Sequence, residues 1–419
     1  VMYQRDELQH VISLVQPKMV VCDDDKELQV AATLSCSTLE RLLPAEDAAP
    51  MPVADMGDDE DGVVLFTGGT TGLPKAVRLT HRGSYESLAK LARASKSGRP
   101  GPYHTSAPEV PPNIVALPLF HSGGEQALLF AFHVGRSVLL MQRFRVEAYV
   151  RLVEQYAVDN LFLLPTMLYD LVAYPEPLQL QHVRSVLVAG QALDPELWRR
   201  FEERFRIPIL VNYGSTEVGH VAGWTASDVR EGRWRPGSAG RIYDGVEVEI
   251  RDEHGAALPH GEIGEICVRS RVSSGYLDAR KDDELIRQDG WAHTGDMGYL
   301  DADDVLWVVG RRREMIKCGG FQVWPAEIEQ LLRTHPLVED VAVVGVADPR
   351  LGEVPKAFVV PRAATVAAVD GQHERAAQEL ITFCRDHLAH YKAIRQVSFV
   401  TALPRTDAGK LDRAALTRA

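Results

Sequence analysis

Short apolar runs alternate with helix-like stretches between residues 114 and 250. The runs read IVALPLF, SVLLM, NLFLLP, SVLVAG and PILVNYG, and VEAYVRLVEQYAV is typical of the stretches between them. Continuous apolar runs of this length are typical of fully buried strands, and their alternation with helices predicts a parallel sheet covered by helices. We therefore expect a layered α/β domain in this part of the chain.

The pattern changes on both sides of this region. Upstream, DELQHVISLV has apolar residues at helical spacing and MVVC has the character of a short buried strand. Residues 241–310 alternate segments such as GVEVEIRD, GEICVRS and VLWVVG with Gly and Asp, which predicts a small β-rich subdomain. After residue 314, WPAEIEQLL predicts a helix with Pro325 in its first turn, and DVAVVGVAD predicts a strand. A compact C-terminal α+β unit is expected from this.

Three of the buried-strand segments end in polar, glycine-containing loops: HSGG, AGQAL and NYGSTE. Ligands bind at the carboxyl ends of the strands in open α/β sheets. We therefore expect the functional site at this edge of the sheet.

Composition narrows the class of protein. The 419 residues are 45% hydrophobic and 25% charged, which is typical of a folded globular chain of two or three units. A formal net charge of -12 argues against a generic nucleic-acid binder, because such proteins displace phosphate counterions with Lys and Arg. No apolar run approaches the ~20 residues that a membrane-spanning helix needs.

The five cysteines and the N-terminus suggest a compartment. No two cysteines have CxxC spacing, so neither a disulfide framework nor a zinc site is indicated and a reducing compartment is favoured. The N-terminus has no signal-peptide profile, and we expect a cytoplasmic protein. The chain opens on Val1 within a helix-like pattern, and we expect that its native N-terminal part is missing.

The stretch FTGGTTGLPK has the composition of an anion-binding loop. Glycines let backbone N–H groups approach a phosphate, threonine hydroxyls donate hydrogen bonds, and lysine adds positive charge. A flexible turn would explain the glycines but not the threonines and lysine among them. The Walker A pattern is absent, because Pro74 precedes the lysine and Ala76 follows it. The candidate phosphate-binding residues are Thr67, Gly68, Gly69, Thr70, Thr71, Gly72 and Lys75.

Five stretches in order resemble the adenylate-forming superfamily of acyl-CoA and aryl-CoA synthetases, peptide-synthetase adenylation domains and luciferases. They are FTGGTTGLPK (66–75), NYGSTE (212–217), HTGD (293–296), GRRREMIKCGGFQVWPAEIE (310–329) and PRTDAGKLDR (404–413). The resemblance implies a large N-terminal AMP-binding and acyl-binding domain (1–310), a hinge (311–319) and a small mobile C-terminal lid domain (320–419). It also implies that a carboxylate attacks the α-phosphate of ATP, giving an acyl-adenylate and pyrophosphate, before a thiol takes the acyl group.

The same resemblance implies roles within NYGSTE. Tyr213 would lie beside the adenine, Thr216 would bond the α-phosphate, and Glu217 would bind Mg²⁺, with Thr67 reaching the same ion. A carboxylate suits this hard cation. The further nucleotide-binding residues by resemblance are Gly190, Gln191, Asn212, Gly214, Ser215, the ribose-binding Asp296, and Arg311.

In the C-terminal motif, the resemblance assigns the main catalytic role to Lys410, which would reach the site when the lid closes. Preorganised charge of this kind is worth about 3 to 4 kcal/mol of barrier. The hinge position, usually Asp or Lys in the family, is Arg313. Lys317, Gly319 and Gly320 resemble the loop that lines the thiol tunnel, although a glycine pair is equally typical of a β-turn.

The sequence indicates the substrate acid only by chemical class. Amino-acid-activating relatives have an aspartate after the IVALPLF-type strand, whereas PLFHSGGE places His121 there, as acyl-CoA and aryl-CoA synthetases often do. We therefore expect an aryl or fatty acid rather than an α-amino acid, with His121 lining or gating the pocket. The candidate pocket residues are His121, Ser122, Gly123, Thr166, Gly190, Gly214, Val218, Gly219 and His220.

The leading hypothesis is thus an AMP-forming acid–thiol ligase that uses ATP, Mg²⁺ and coenzyme A. The alternatives are a stand-alone adenylating enzyme that loads a carrier-protein phosphopantetheine, and a nucleotide-binding relative without catalysis. The expected partners are the small-molecule acid, ATP and CoA or an acyl carrier protein, with no nucleic acid. Whether the protein is a monomer or a homodimer stays open.

Overall fold

The computed structural model describes residues 5–22, 33–35, 55–67, 75–95, 110–190, 193–270, 272–278, 289–362, 372–405 and 411–418. Its helices are α1 (Arg5–Val15), α2 (His81–Ser95), α3 (Ser122–His133), α4 (Val146–Gln155), α5 (Pro165–Ala173), α6 (Pro195–Phe205), α7 (Ala226–Arg230), α8 (Pro325–Arg333), α9 (His373–His387) and α10 (Arg413–Arg418). None of these helices is long and apolar enough to cross a membrane.

The strands fall into an N-terminal and a C-terminal group. The first group is β1 (Val20–Cys22), β2 (Thr33–Ser35), β3 (Asp61–Thr67), β4 (Lys75–Thr80), β5 (Asn113–Val115), β6 (Val138–Leu140), β7 (Asn160–Leu163), β8 (Ser185–Val188), β9 (Ile209–Ser215), β10 (Gly219–Gly223), β11 (Gly240–Ile242), β12 (Glu247–Arg251), β13 (Gly264–Arg269), β14 (Ser273–Tyr276), β15 (Ala292–Leu300) and β16 (Val305–Arg311). The second group is β17 (Ile316–Cys318), β18 (Phe321–Val323), β19 (Val338–Asp348), β20 (Gly352–Pro361) and β21 (Gln396–Phe399).

A nine-stranded sheet forms the centre of the large unit, in the order β12-β13-β15-β16-β11-β10-β9-β8-β7. Strands β7, β8 and β9 are parallel, as their apolar runs predict. Leu163, Val186 and Ile209 on these strands pack against Leu168 of α5 and Phe201 of α6, and all five are almost completely buried. Burial of these apolar faces stabilises the layered arrangement.

The β-rich segment continues this sheet through antiparallel pairs. Strand β10 pairs with β9 on one side and β11 on the other, and β16, β15, β13 and β12 follow. The segment has a hydrophobic core of its own, in which Ile266, Val268 and Leu306 pack with Val77 and Val221. The parallel and antiparallel strands therefore belong to one sheet, but each set packs against its own hydrophobic core.

The predicted strand IVALPLF is shorter than its apolar run. Strand β5 ends at Val115 and pairs with β6 in a separate two-stranded parallel sheet. Pro118 has no N–H to donate to a neighbouring strand, and α3 begins four residues later at Ser122. The chain therefore turns into a helix at the point where the sequence places His121.

The C-terminal unit has a five-stranded sheet, β18-β17-β20-β19 with β21 paired to β20. Helices α8 and α9 cover it, and Ile328, Leu332 and Leu380 are fully buried in its core with Val341 and Val359. Helix α8 begins at Pro325 as predicted. A short 3₁₀ turn, Arg312–Glu314, links this unit to β16.

Candidate nucleotide and acid site

A cleft of about 2960 Å³ lies between the two units, where β9 and the hairpin β15–β16 meet α8 and the segments around residues 391–405. Many of the predicted site residues line it. They are Thr67, Lys75, His121, Ser122, Thr166, Gly190, Asn212, Tyr213, Gly214, Ser215, Thr216, Glu217, Val218, Asp296, Arg311 and Arg313. Gly68, Gly69, Thr70, Thr71, Gly72, Gln191 and Lys410 lie outside the described residues.

Tyr213, Asp296 and Arg311 form a bonded group on one face of the cleft. Asp296 and Arg311 are directly opposite each other on β15 and β16, and Arg311 Nε lies 3.0 Å from Asp296 Oδ1. Tyr213 Oη donates to Asp296 Oδ2 at 2.9 Å. Burial raises the pKa of Asp296, while the Arg311 guanidinium and the Tyr213 hydroxyl oppose that rise. The group is a buried carboxylate held in a fixed orientation, with lone pairs that remain for further donors.

Behind this group lies a second carboxylate that sequence reasoning did not identify. Glu265 accepts from the backbone N–H of Gly295, and its Oε2 lies 2.9 Å from His293 Nδ1 and 3.2 Å from Arg312. Cys267 Sγ lies 3.5 Å from the same His293 nitrogen. Glu265, Cys267 and His293 have metal-ligand spacing, but the Arg312 guanidinium already supplies positive charge to the carboxylate. The cluster therefore supports the turn that presents Asp296.

Glu265 and His293 were visible in the sequence as parts of GEICVRS and HTGD. Neither segment signals that they meet, because the contact depends on the pairing of β13 with β15. Only the three-dimensional structure identifies such a pair.

The phosphate and metal side is built around Glu217 and Lys75. Tyr276 donates from its hydroxyl to Glu217 Oε1 at 3.4 Å, and Lys75 Nζ lies 5.3 Å from the centre of the Tyr276 ring. A cation over an aromatic face is attracted by the ring quadrupole. Tyr276 was not predicted; it is placed by the pairing of β14 with β4. Tyr276 thus contacts both Lys75, which follows the glycine-rich loop, and Glu217, the last residue of NYGSTE.

The acid side begins at the N-terminus of α3. The Thr216 hydroxyl donates to Ser122 Oγ at 3.0 Å, which joins the end of NYGSTE to PLFHSGGE. The His121 ring packs against Phe120, with ring centres 4.8 Å apart. At Gly214, a Cβ would lie 2.1 Å from the Gly219 carbonyl oxygen, so the close approach of β9 and β10 requires glycine there.

Asn212 faces away from Tyr213, because adjacent residues of a strand point to opposite faces. Its Nδ2 lies 2.8 Å from His220 Nδ1 on the neighbouring strand β10. The ring of His220 is deeply buried, and burial lowers its pKa to about 4. Asn212 lines the cleft, and its predicted role in nucleotide binding stays a prediction.

Lys317, Gly319 and Gly320 do not line the described part of the cleft. The two glycines form the turn between β17 and β18, with φ of +58° and +85°. Two-residue hairpin turns of type I′ need positive φ at both positions, and glycine meets that need. Their predicted role in a thiol tunnel stays a prediction.

The segment that contains Lys410 is flanked by ordered contacts. Arg405 and Leu411 pair across it as an isolated bridge, and both line the cleft. Arg413, which sequence reasoning did not identify, donates to Glu329 at 2.6 and 3.0 Å and to Glu314 at 3.1 Å. This partly buried cation fixes the start of α10 to α8 and to the 3₁₀ turn.

Comparison with known families agrees with this geometry. The model of the AMP-binding enzyme family matches residues 1–277, and the model of the AMP-binding enzyme C-terminal domain matches residues 327–410. The chain belongs to the AMP-binding enzyme family. The resemblance and the fold class expected from the sequence are therefore confirmed.

Named relatives of this enzyme are synthetases and ligases. 4-Coumarate–CoA ligase 1 of Petroselinum crispum is 34% identical over 402 residues, which are 94% of this chain and 70% of the relative. The structure of ATP-bound MatB from Rhodopseudomonas palustris has a TM-score of 0.87 at 26% identity and covers 100% of this chain and 82% of that one.

The structure of o-succinylbenzoate coenzyme A synthetase from Bacillus subtilis, in complex with ATP and magnesium ion, has a TM-score of 0.80 at 27% identity. The likeness covers 99% of this chain and 82% of that one. Both solved structures therefore share the large and small units with this AMP-binding enzyme.

Proposed function

We propose that this enzyme activates an aryl or fatty carboxylic acid with ATP and transfers the acyl group to coenzyme A. One observation carries the proposal: the Tyr213–Asp296–Arg311 group and the Thr216–Ser122 contact lie in the same cleft. A nucleotide face and an acid face thus meet at the end of β9. The 4-coumarate–CoA ligase and the o-succinylbenzoate CoA synthetase named above support the same class of reaction.

The nucleotide face fits ATP. Asp296 is buried and oriented by two donors, so its oxygens are placed to accept the two ribose hydroxyls. The ring of Tyr213, which the same hydrogen bond holds, would lie beside the adenine. Lys75 and the glycine-rich loop would bind the phosphates that leave as pyrophosphate.

The donor set also fits Mg²⁺. Glu217 supplies a carboxylate oxygen and Thr67 a hydroxyl, and both line the cleft. Hard oxygen ligands of this kind suit Mg²⁺, which when bound offsets negative charge on the phosphates. Glu217 would hold that ion near Thr216.

The chemistry follows in two displacements. A carboxylate oxygen of the acid bonds to the α-phosphorus of ATP and pyrophosphate leaves; the CoA sulfur then bonds to the acyl carbon and AMP leaves. Thr216 would orient the α-phosphate, and Lys410 would place its ammonium group against the negative charge that shifts in the first step. Arg405 and Leu411, which flank Lys410 in the sequence, line the cleft and support this role.

An α-amino acid is disfavoured as the substrate. The position after the IVALPLF-type strand carries His121, at the start of α3, where a carboxylate would be needed to pair with an α-ammonium group. His121 and Phe120 pack together at the cleft, which suits an acyl or aryl chain.

The small unit would act as a mobile lid with Arg313 as its hinge. Two polar contacts join the units on the side of α5 and α6: Tyr169 donates to Glu339 at 3.1 Å, and Arg333 lies 3.0 Å from Asp194. Domain interfaces made of such polar pairs permit relative motion. The predicted boundaries, with residues 311–319 as the linker, are part of this proposal.

The location is proposed as well. Three of the five cysteines, Cys267, Cys318 and Cys384, are free and buried. Thiols of this kind suit a reducing compartment, and we therefore place the enzyme in the cytoplasm.

Carboxylate-dependent pyrophosphate–ATP exchange across aryl, fatty and α-amino acids tests the proposal. Exchange with aryl or fatty acids, followed by thioester formation with free CoA, is the expected result. Exchange without transfer to CoA, but with transfer to a phosphopantetheinylated carrier protein, would mean that the acyl acceptor is the carrier protein and not CoA. Absence of exchange with every acid would overturn the enzyme reaction itself.

A further inference from the structure

A chain of alternating charges runs from the large unit towards the segment that contains Lys410. Arg333 Nε lies 3.0 Å from Asp194 Oδ2, and Arg333 Nη2 lies 3.5 Å from Asp340 Oδ1. Arg405 Nη2 donates to the other oxygen of Asp340 at 3.0 Å. All four side chains line the cleft. Asp194 belongs to the large unit and the other three to the small unit, so the link from Asp194 to Arg333 crosses between the units.

Both ends of this crossing link are held by their own unit. Asp194 is the N-cap of α6, where its Oδ1 accepts from the backbone N–H groups of Glu196 and Leu197 at 2.8 and 2.9 Å. Arg333 ends α8, and its Nη2 also donates to the carbonyl of Val341 at 3.1 Å. The Arg333 and Asp194 side chains are 23% and 19% exposed. Because both are already held in place, they lose less side-chain entropy when they meet than two free surface residues would.

The charges around the link are complementary as well. Burial raises the pKa of Asp170 on α5, and the charge of Arg405 opposes that rise. Hydrogen bonding to Arg199 lowers the pKa of Glu196, and the charge of Arg362 from the small unit acts in the same direction. The large unit thus presents carboxylates where the small unit presents guanidinium groups, an arrangement that favours one docked orientation.

The far end of the chain lies beside the segment 406–410. Arg405 and Leu411 pair as an isolated antiparallel bridge, and the Asp412 N–H donates to the carbonyl of Pro404 at 2.9 Å. These contacts bring together the residues on either side of the segment, whose last residue is Lys410. A contact that fixes Arg405 therefore fixes both ends of the segment.

Rotation of the small unit about Arg313 would affect the links of the chain differently. Arg333, Asp340 and Arg405 belong to the same unit and would move together, whereas Asp194 would stay with the large unit. The contact between Asp194 and Arg333 therefore requires the orientation seen here, in which Arg405 lines the cleft. A contact that is made in only one of two states shifts the equilibrium towards that state.

We infer that Asp194 and Arg333 are positioning residues for the first half-reaction. Their contact docks the small unit on the large one, and Asp340 and Arg405 link the docked unit to the segment of Lys410. The inference rests on the proposed function, in which Lys410 acts while the acid attacks ATP. Transfer of the acyl group to the thiol does not use Lys410 and proceeds without the contact.

Neutral variants test the inference in separate assays of the two half-reactions. Asp194→Asn keeps an oxygen that can cap α6 but removes the charge that faces Arg333, and Arg333→Gln removes the other charge. We expect each variant to lower the maximal rate of pyrophosphate–ATP exchange about 3- to 10-fold, the effect of one partly buried ion pair, with little change in KM for ATP or acid. Conversion of a supplied acyl-adenylate to the CoA thioester should stay within about twofold of the wild-type rate.

Further variants and salt separate docking from a general loss of structure. The double variant should lose no more than either single variant, because both single changes remove the same contact. Arg333→Lys keeps the charge and should recover at least about half of the lost exchange rate. The difference between the wild type and Asp194→Asn should narrow as sodium chloride rises from about 0.05 to 0.5 M, because salt screens a pair that only the wild type has.

The matched control is Arg235→Gln. Arg235 lies 2.6 Å from Asp301 within the large unit, and the Asp301 side chain is 19% exposed, as that of Asp194 is. Both half-reactions should keep their wild-type rates in this variant. Thermal denaturation checks that every variant is folded.

Tryptic cleavage at residues 311–313 gives a readout that needs no catalysis. Weaker docking should expose this linker more often, so Asp194→Asn should be cleaved there about 3- to 10-fold faster than the wild type, and Arg235→Gln should not. Wild-type exchange in folded Asp194→Asn, or an equal loss of both half-reactions, would overturn the inference. If the wild type exchanged pyrophosphate with no acid, the proposed function would be refuted, and the cleavage rates would still show whether Asp194 docks the small unit.

Discussion

Asn212 and Tyr213 are neighbours on β9, and their two faces of the strand are built differently. On the Tyr213 face, a hydroxyl, a carboxylate and a guanidinium satisfy one another at 2.9 and 3.0 Å. On the Asn212 face, an amide and a neutral imidazole satisfy each other only in part, and buried polar atoms remain unpartnered among the described residues. The hydrogen bonds of the Tyr213 face are therefore complete, whereas those of the Asn212 face are not.

The difference indicates how each face would treat its ligand. Charged groups that hold each other in place form a preorganised site, which needs no rearrangement when the nucleotide binds. Neutral groups whose hydrogen-bonding atoms are unpaired contribute binding energy only when a ligand supplies the missing partner. Such groups therefore select among ligands. We therefore expect substitutions on the Tyr213 face to change ATP use for every acid.

The largest effect is expected at Lys410, where the two ligands would meet. Lys410→Ala should slow adenylation about 100- to 1000-fold for all acids, because it removes a charge that acts in the transition state. Conversion of a supplied acyl-adenylate to the CoA thioester should remain near the wild-type rate. The control is Lys356→Ala, which removes a lysine that lies over Phe358 in the same unit. Equal loss of both half-reactions in the Lys410 variant would contradict a mobile lid that brings Lys410 into the site only for the first step.

Asp296→Ala should have the next largest effect. It leaves the Arg311 guanidinium and the Tyr213 hydroxyl without their acceptor and removes the proposed ribose ligand. We expect kcat/KM for ATP to fall about 100-fold, from the loss of two hydrogen bonds to a charged group. The preference between an aryl and a fatty acid should stay unchanged, which steady-state kinetics with both acids can measure. A shift in this preference would mean that Asp296 also acts on the acid.

The two faces of β9 differ in how far the sequence alone predicts them. The parallel strands and the loops at their ends follow from local apolar runs, so β7, β8, β9 and the cleft were predictable. The charged group was reachable only through the family resemblance of HTGD and GRRREM. Its geometry depends on the pairing of β15 with β16, a contact between strands that no local pattern encodes.

Other features were beyond sequence reasoning for a similar reason. Glu265, Tyr276 and Arg413 act through partners 28 or more residues away in the chain. The β-rich segment was predicted as a subdomain, but its continuity with the parallel strands depends on the short β10–β11 pairing. Unpartnered atoms such as Asn212 Oδ1 are visible only once burial is known.

Glu265→Gln should have a smaller effect on the nucleotide face. Glutamine keeps an acceptor for the Gly295 N–H but loses the charge that faces Arg312 and His293. Because Arg312 is largely exposed, solvent screens part of this interaction, and we expect KM for ATP to rise about fivefold with kcat and acid preference unchanged. Glu247→Gln, which breaks an exposed pair with Arg269 on the same sheet, is the matched control. Identical kinetics in both variants would mean that Glu265 does not hold Asp296 in position.

The last effect arises from the neutral ring of His220, and it concerns stability rather than catalysis. Burial lowers its pKa from 6.5 to about 4, with the charge of Lys90 acting in the same direction. Between these two pH values the unfolded chain binds a proton that the folded chain does not. Stability that is present above pH 6.5 is therefore lost as pH falls towards 4, by about 3 kcal/mol at most.

Thermal denaturation of the wild type and of His220→Gln from pH 7.5 to pH 4.5 measures this difference. Glutamine does not titrate, so the melting temperature of the wild type should fall by a few degrees more than that of the variant over this range. Acid preference should stay constant between pH 6 and pH 8, because the imidazole remains neutral throughout. An equal fall in melting temperature in both proteins would mean that folding does not lower the pKa of His220.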